Sequence, residues 1–401
     1  MKVRIEKGRA FGKIKAPPSK SYAHRLLICG ALAEGNSVID GVSESVDMKA
    51  TLSCINALGV DFQKTGDTVS INGGIKPSKR EFNCYESGST LRFFIPIALL
   101  TGDECTFVGS ERLMSRGIEV YEEIFEKQKI SVKKEKDRIT VNGRLRSDTF
   151  NVRGNISSQF ISGLLFALPL LDGDSIINIT TELESAAYVD ITIECLKLFG
   201  IEIVKGENTL YIRGKQKYKA CHQEVEGDFS NSAFLDAFGA LGGDVSVFGL
   251  NEASLQGDKI YREYFAKIEQ AAPLLDISGC PDLGPILFAL AGMKNGATFT
   301  GTKRLKIKES DRAEAMKKEL AKLGVSVEIY EDSVVVGNGA RAPVDILFGH
   351  NDHRIVMAMS VLLSCFGGTI EGCEAVNKSY PDFFKDIAKL GIRSEIIRED
   401  N

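Results

Sequence analysis

Cations stand where this chain starts its apolar segments. Lys20 and Arg25 lie in SKSYAHR, Arg92 in SGSTLR, Arg116 in MSRG and Arg354 in NDHR. Lys308 and Arg312 share RLKIKESDR with Lys306, and Lys378 lies in NKSYPDF. A helix start exposes backbone N–H groups and carries partial positive charge, so Lys or Arg placed there suits phosphate and carboxylate. Any one of them alone is a solvated surface charge; recurrence at matching places is the informative feature. Two carboxylates sit among these cations. Asp282 opens PDLGPILFALAG, where it can cap a helix or accept a proton. Glu309, between Lys308 and Arg312, can pair with its neighbours or act as a general acid. Ser21, Ser157, Ser158, Gln159 and Ser185 add the neutral donors and acceptors that a polyhydroxylated or phosphorylated ligand requires. Gly88, in ESGSTLR, serves either a positive φ or a close approach of ligand to a backbone without Cβ.

Other chemistries lack their motifs. There is no P-loop, no G-x-G-x-x-G and no G-x-S-x-G. His350 and His353 form H-N-D-H, but no further His or Cys cluster supplies the rest of a metal site, and none is expected. No cofactor is expected either.

The chain has 401 residues, 43% hydrophobic and 26% charged, the composition of a folded globular protein. A net charge of −4 gives no basic footprint for nucleic acid. Nine cysteines without a C-x-x-C pair read as reduced thiols in the cytoplasm. The longest apolar runs, at 93–100 and 163–171, fall short of the ~18 residues that span a bilayer. The first residues, MKVRIEKGRAFGK, hold no signal-peptide core. A soluble cytoplasmic monomer acting on small molecules is expected, with neither nucleic acid nor membrane as partner.

The elements that must position these groups come in six copies. Segments beginning near Lys20, Gly88, Ser157, Asp228, Asp282 and Asp352 each start polar, continue as an apolar helix and turn at Gly into a short strand. They recur at intervals of about seventy residues, the fourth interval being shorter. A second helix follows in most copies, stopping at Gly59, Gly200, Gly324 and Gly391 as a C-cap does. Alternating strands come next, as in 60–71 and 325–336. The unit is β-α-β-α-β-β. Copy four lacks its hairpin, and copy six lacks a final strand that the N-terminal VRIEK can supply. The expectation is an α/β fold of two domains, each of three units, with helices buried and sheets outside. The first domain is 13–221 and the second is 1–12 with 222–401, with the helix starts facing a cleft between them.

PPSKSYAHR (17–25), SGSTLR (87–92), SSQF (157–160), PD (281–282), KIKESDR (306–312), NDHR (351–354) and KSYPDF (378–383) together resemble the 5-enolpyruvylshikimate-3-phosphate synthase family. The match is collinear over nearly the whole chain. The resemblance implies two inside-out, barrel-like α/β domains of three units each. It also implies transfer of the enolpyruvyl group of phosphoenolpyruvate to the 5-hydroxyl of shikimate 3-phosphate, with release of phosphate, in the pathway to chorismate and the aromatic amino acids. Carried over by position, Lys20, Ser21, Arg25, Ser157, Ser158, Gln159, Ser185, Asp282 and Lys308 would hold shikimate 3-phosphate. Lys20, Gly88, Arg116, Gln159, Arg312, Arg354 and Lys378 would hold phosphoenolpyruvate. Asp282 would take the hydroxyl proton. Glu309 would protonate the methylene carbon, with Lys20 and Lys378 as other candidates. Glu86 and Gly117 depart from the family pattern, which usually has Asn and Pro there. Two other functions stay open: an enolpyruvyl transferase acting on UDP-N-acetylglucosamine, and a binding protein of the same fold without turnover.

Overall fold

A computed structural model describes residues 1–76 and 80–398. The six apolar segments form the helices Lys20–Leu32, Gly88–Ala98, Ser158–Ala167, Phe229–Ala240, Gly284–Met293 and His353–Phe366. Their polar starts are the reason they begin there. Ser87, Ser157, Asp228 and Asp352 each accept a hydrogen bond from a first-turn backbone N–H. Being apolar on every face, these helices are buried on every face; Gly284 through Gly292 are buried without a break. The second helices end as their glycines imply, with Gly59, Gly200, Gly324 and Gly391 all at φ between 75° and 87°.

By internal contacts the chain divides into two compact units, Lys20–Glu226 and Met1–Ser19 with Gly227–Asn401. In the first unit three four-stranded sheets repeat one plan. The sheet of copy two runs Glu81–Tyr85, Cys105–Gly109, Arg138–Asn142, Ser131–Lys134: a parallel pair extended by an antiparallel hairpin. Copy three repeats it with Thr149–Val152, Ser175–Ile179, Thr209–Ile212 and Ile203–Lys205. In the second unit, copy five does so with Leu274–Asp276, Ala297–Thr300, Ser333–Val336 and Val327–Ile329. In copy six the N-terminal strand Lys2–Ile5 stands between Gly368–Glu371 and Ser394–Ile397, antiparallel to both. The strands form six separate sheets, none of them a closed barrel among the described residues.

The first strands of copies one and four are exchanged, which the repeat pattern did not show. Phe11–Lys15 precedes the helix of copy one, yet pairs in parallel with Asp244–Phe248 of copy four. His222–Glu224 precedes the helix of copy four, yet pairs with Val38–Asp40 of copy one. These pairings carry the crossings to 19/20 and 226/227, later than positions 13 and 222 read from the repeats. Copy four keeps two strands because its hairpin is absent. Asp236 accepts the N–H of Val247 on the strand Asp244–Phe248.

Candidate active site

In the unit 20–226, three helix starts bring their polar groups together. Arg92, 4% exposed, donates to Gln159 Oε1 at 2.6 Å and to the carbonyls of Arg116 and Gly117 at 3.3 and 3.4 Å. The Gln159 amide is thereby oriented, and its nitrogen donates to Ser89 Oγ at 2.9 Å. Ser157 caps the helix that Ser158 begins, accepting from Gln159 N at 3.3 Å. Gly88 is not held at positive φ. Instead, a Cβ built on it would lie 2.8–2.9 Å from the Arg116 guanidinium, so the missing side chain makes room for that cation. Gly117 has φ +71°, a conformation closed to the proline usual in the resembling family, whose ring fixes φ near −65°.

Arg25 is 3% exposed and its guanidinium faces dipoles. It donates to Thr192 Oγ1 at 2.8 Å, Ser162 Oγ at 3.4 Å, and the carbonyls of Ser21 and Tyr188 at 2.7 and 3.0 Å. It also lies over the Phe93 ring, 5.1 Å from its centre. Burial lowers its pKa below the usual arginine value without threatening its charge. Thr192 and Tyr188 belong to the helix Ala186–Leu198, which Ser185 heads at φ +55°. Lys20 Nζ pairs with Asp47 at 2.9 Å; Asp47 sits in the first turn of the helix Val46–Ala57, a partner that the sequence reading missed.

In the other unit the predicted residues form one network of ion pairs. Asp282 lies in the 3-10 turn Pro281–Leu283 and caps no helix. Its Oδ1 accepts from Arg312 at 2.7 Å and Lys308 at 3.0 Å, and its Oδ2 from Arg354 at 2.9 Å. Arg312, 1% exposed, uses its remaining nitrogens on Asp352 and Glu309, each at 2.9 Å. Asp352 also accepts Ser310 Oγ at 3.0 Å and the N–H of Arg354 at 2.9 Å. Arg354 reaches Ser230 Oγ at 2.8 Å, and Lys378 reaches the Asn351 carbonyl at 2.6 Å. Asp352 and Ser230 are new members. Asp352 was visible in NDHR only as a helix cap; Ser230 gave no signal.

Burial works against the Arg312 cation, but Asp352, Glu309 and Asp282 together hold its pKa above the ordinary range. Burial likewise opposes the Asp352 anion, and Arg312 outweighs it, leaving the carboxyl low. Lys308 goes the other way. Burial first, then Arg312 and Arg304, overcome the attraction of Asp282 and push its pKa down to about 8. The network can therefore hold anions, and it keeps two carboxylates, Asp282 and Glu309, within reach of exchangeable protons. A separate cavity of about 640 Å³, lined by Ile75, Leu100, Arg144, Leu145 and Leu171 among others, holds none of the predicted residues. No helix among the described residues is long and apolar enough to cross a membrane.

The family model for EPSP synthase (3-phosphoshikimate 1-carboxyvinyltransferase) matches residues 5–387. The chain is 43% identical to the 3-phosphoshikimate 1-carboxyvinyltransferase of Clostridium kluyveri, with 97% of each chain covered. It is also 43% identical to the same-named protein of Clostridium acetobutylicum, with 95% of each covered. Among solved structures, an EPSP synthase from Acinetobacter baumannii superposes with a TM-score of 0.79 at 22% identity, covering 99% of this chain and all of that one. The enolpyruvyl transferase NikO from Streptomyces tendae gives the same TM-score at 13% identity, with 98% of each chain covered. These last two likenesses are of fold.

Proposed function

The chain belongs to the EPSP synthase family, and from that premise we propose that it transfers the enolpyruvyl group of phosphoenolpyruvate to the 5-hydroxyl of shikimate 3-phosphate. The new bond joins that oxygen to C2 of the enolpyruvyl group, and the C2–O bond to phosphate breaks. The hydroxyl proton goes to Asp282. A proton from Glu309 adds to the methylene carbon and is lost again as phosphate leaves. Shikimate 3-phosphate is held by Lys20, Ser21, Arg25, Ser157, Ser158, Gln159, Ser185, Asp282 and Lys308. Phosphoenolpyruvate is held by Lys20, Gly88, Arg116, Gln159, Arg312, Arg354 and Lys378. The reaction runs in the cytoplasm, on one copy of the chain, as a step toward chorismate.

The observation that carries the reading is the Asp282 carboxylate, engaged by Lys308, Arg312 and Arg354 at once. Lys308, Arg312 and Arg354 occupy both oxygens of that carboxylate. Incoming phosphate and carboxylate groups compete for those cations and free an oxygen for the hydroxyl proton. Phosphate release is the test. It is expected when phosphoenolpyruvate and shikimate 3-phosphate are mixed with the protein, and not when UDP-N-acetylglucosamine replaces the shikimate. Release with the nucleotide sugar, or binding of both substrates without release, overturns the reading.

A further inference from the structure

Glu319, in the helix Arg312–Lys322, belongs to none of the groups assigned above and is 1% exposed. Two of its donors come from the segment 348–350 and a third from its own helix. Its Oε1 meets His350 Nε2 at 2.7 Å. Its Oε2 accepts Lys322 Nζ at 2.8 Å and the N–H of Phe348 at 2.9 Å. Burial opposes its charge, and these three donors outweigh burial and hold the carboxyl low. The loop that it grips is strained: His350 and Asn351 have φ of 51° and 52°, two successive L residues in the left-handed region. Such conformations persist only where surrounding contacts over-determine them, and they gather at functional sites. This loop does two things. It presents the Asn351 carbonyl to Lys378 Nζ at 2.6 Å. It then delivers Asp352, which holds Arg312 Nε and caps the helix that carries Arg354.

We propose that Glu319 is a positioning residue for the phosphoenolpyruvate cations: through His350 and the Phe348 amide it fixes the strained His350–Asn351 pair, and that pair places Lys378. Glu319 touches neither substrate. The inference rests on the reading of Lys378 and Arg354 as phosphoenolpyruvate ligands.

The test uses Glu319→Gln and His350→Gln in the full chain with two readouts. The first is steady-state kinetics. Glu319→Gln should raise KM for phosphoenolpyruvate about tenfold, the order expected for a displaced charged hydrogen bond, with KM for shikimate 3-phosphate within twofold. In a Lys378→Met background the same substitution should change KM for phosphoenolpyruvate less than twofold, because the group that it places is gone. The second readout needs no turnover. Acetylation of Lys378 by acetic anhydride, followed by peptide mass spectrometry, should quicken at least threefold in Glu319→Gln, with Lys385 and Lys389 unchanged. His350→Gln should shift both readouts in the same direction by less, and it decides the matter if Glu319→Gln does not fold. Equal rises in both KM values, full additivity with Lys378→Met, or an unchanged Lys378 labelling rate would overturn the inference. If the wild type releases no phosphate, the proposed function fails, and the labelling rate still decides this point.

Discussion

The two units hold their buried site arginines in opposite ways, although Lys20 of the first is paired with Asp47. In 20–226, Arg25 and Arg92 lean on hydroxyls, an amide and backbone carbonyls. In the other unit, Arg312, Lys308 and Arg354 are locked to Asp282, Glu309 and Asp352. A cation held by dipoles keeps its charge for a ligand. A cation inside a lattice of ion pairs has part of its charge already spent, but the lattice also holds carboxylates that can move protons. On the proposed function the first cluster is passive and only binds anions, whereas the second binds anions and also carries Asp282 and Glu309, the groups proposed to move protons.

The largest effect should come from the lattice. Asp282→Asn keeps the shape and removes the proton acceptor, so turnover should fall ~10²–10⁴-fold. Shikimate 3-phosphate affinity, read by calorimetry, should stay within about tenfold. Turnover within threefold of wild type would leave Asp282 a structural anchor.

Stability should separate the clusters next. Arg312→Ala removes the buried cation that three carboxylates share and should cost ~3–5 kcal/mol. Arg25→Ala leaves only neutral acceptors and should cost ~1–3 kcal/mol. Urea denaturation of both variants checks the order; a greater loss for Arg25→Ala would break the comparison.

Gly88→Ala sharpens it on the passive side. Its methyl falls 2.8–2.9 Å from the Arg116 guanidinium, a flexible group that must shift. KM for phosphoenolpyruvate should rise about tenfold, equivalent to ~1.4 kcal/mol. KM for shikimate 3-phosphate and the melting temperature should hardly move. A clear loss of stability with equal weakening of both substrates would mean that Gly88 serves only the backbone.

The smallest effect is one of pH. Lys308 is a cation below its pKa of about 8 and neutral above it. A neutral amine holds a phosphorylated substrate less well, so kcat/KM for shikimate 3-phosphate should fall by up to tenfold per pH unit above about 8. Lys308→Arg, which stays charged, should flatten that limb. An unchanged alkaline limb in the arginine variant would place the titration elsewhere.

Much of this was legible in the sequence, for physical reasons. Helices apolar all round announce burial, and polar residues before them announce caps, so the copies and the cationic helix starts could be read directly. Gly59 and Gly324 marked helix ends because only a left-handed residue closes those turns cheaply. The exchange of Phe11–Lys15 and His222–Glu224 was not legible: FGKIK and HQE carry no pattern that names a partner, and partner choice is decided by residues far along the chain. The same holds for Asp47, Asp352 and Glu319. Each is an unremarkable acid in sequence, and its role appears only when the fold brings Lys20, Arg312 or His350 to it. For Gly88 the sequence left a positive φ and a close approach both open; its φ is ordinary, and a Cβ there would meet Arg116, whose place no spacing could give.

The central claim is that these clusters together carry out one transfer. Phosphorus NMR of the wild-type protein with both substrates tests it in a single tube. The account predicts that the phosphoenolpyruvate signal is replaced one-for-one by inorganic phosphate, while the 3-phosphate monoester persists and shifts to that of a new compound. Loss of phosphoenolpyruvate without that shift, or no change in either signal, would contradict it.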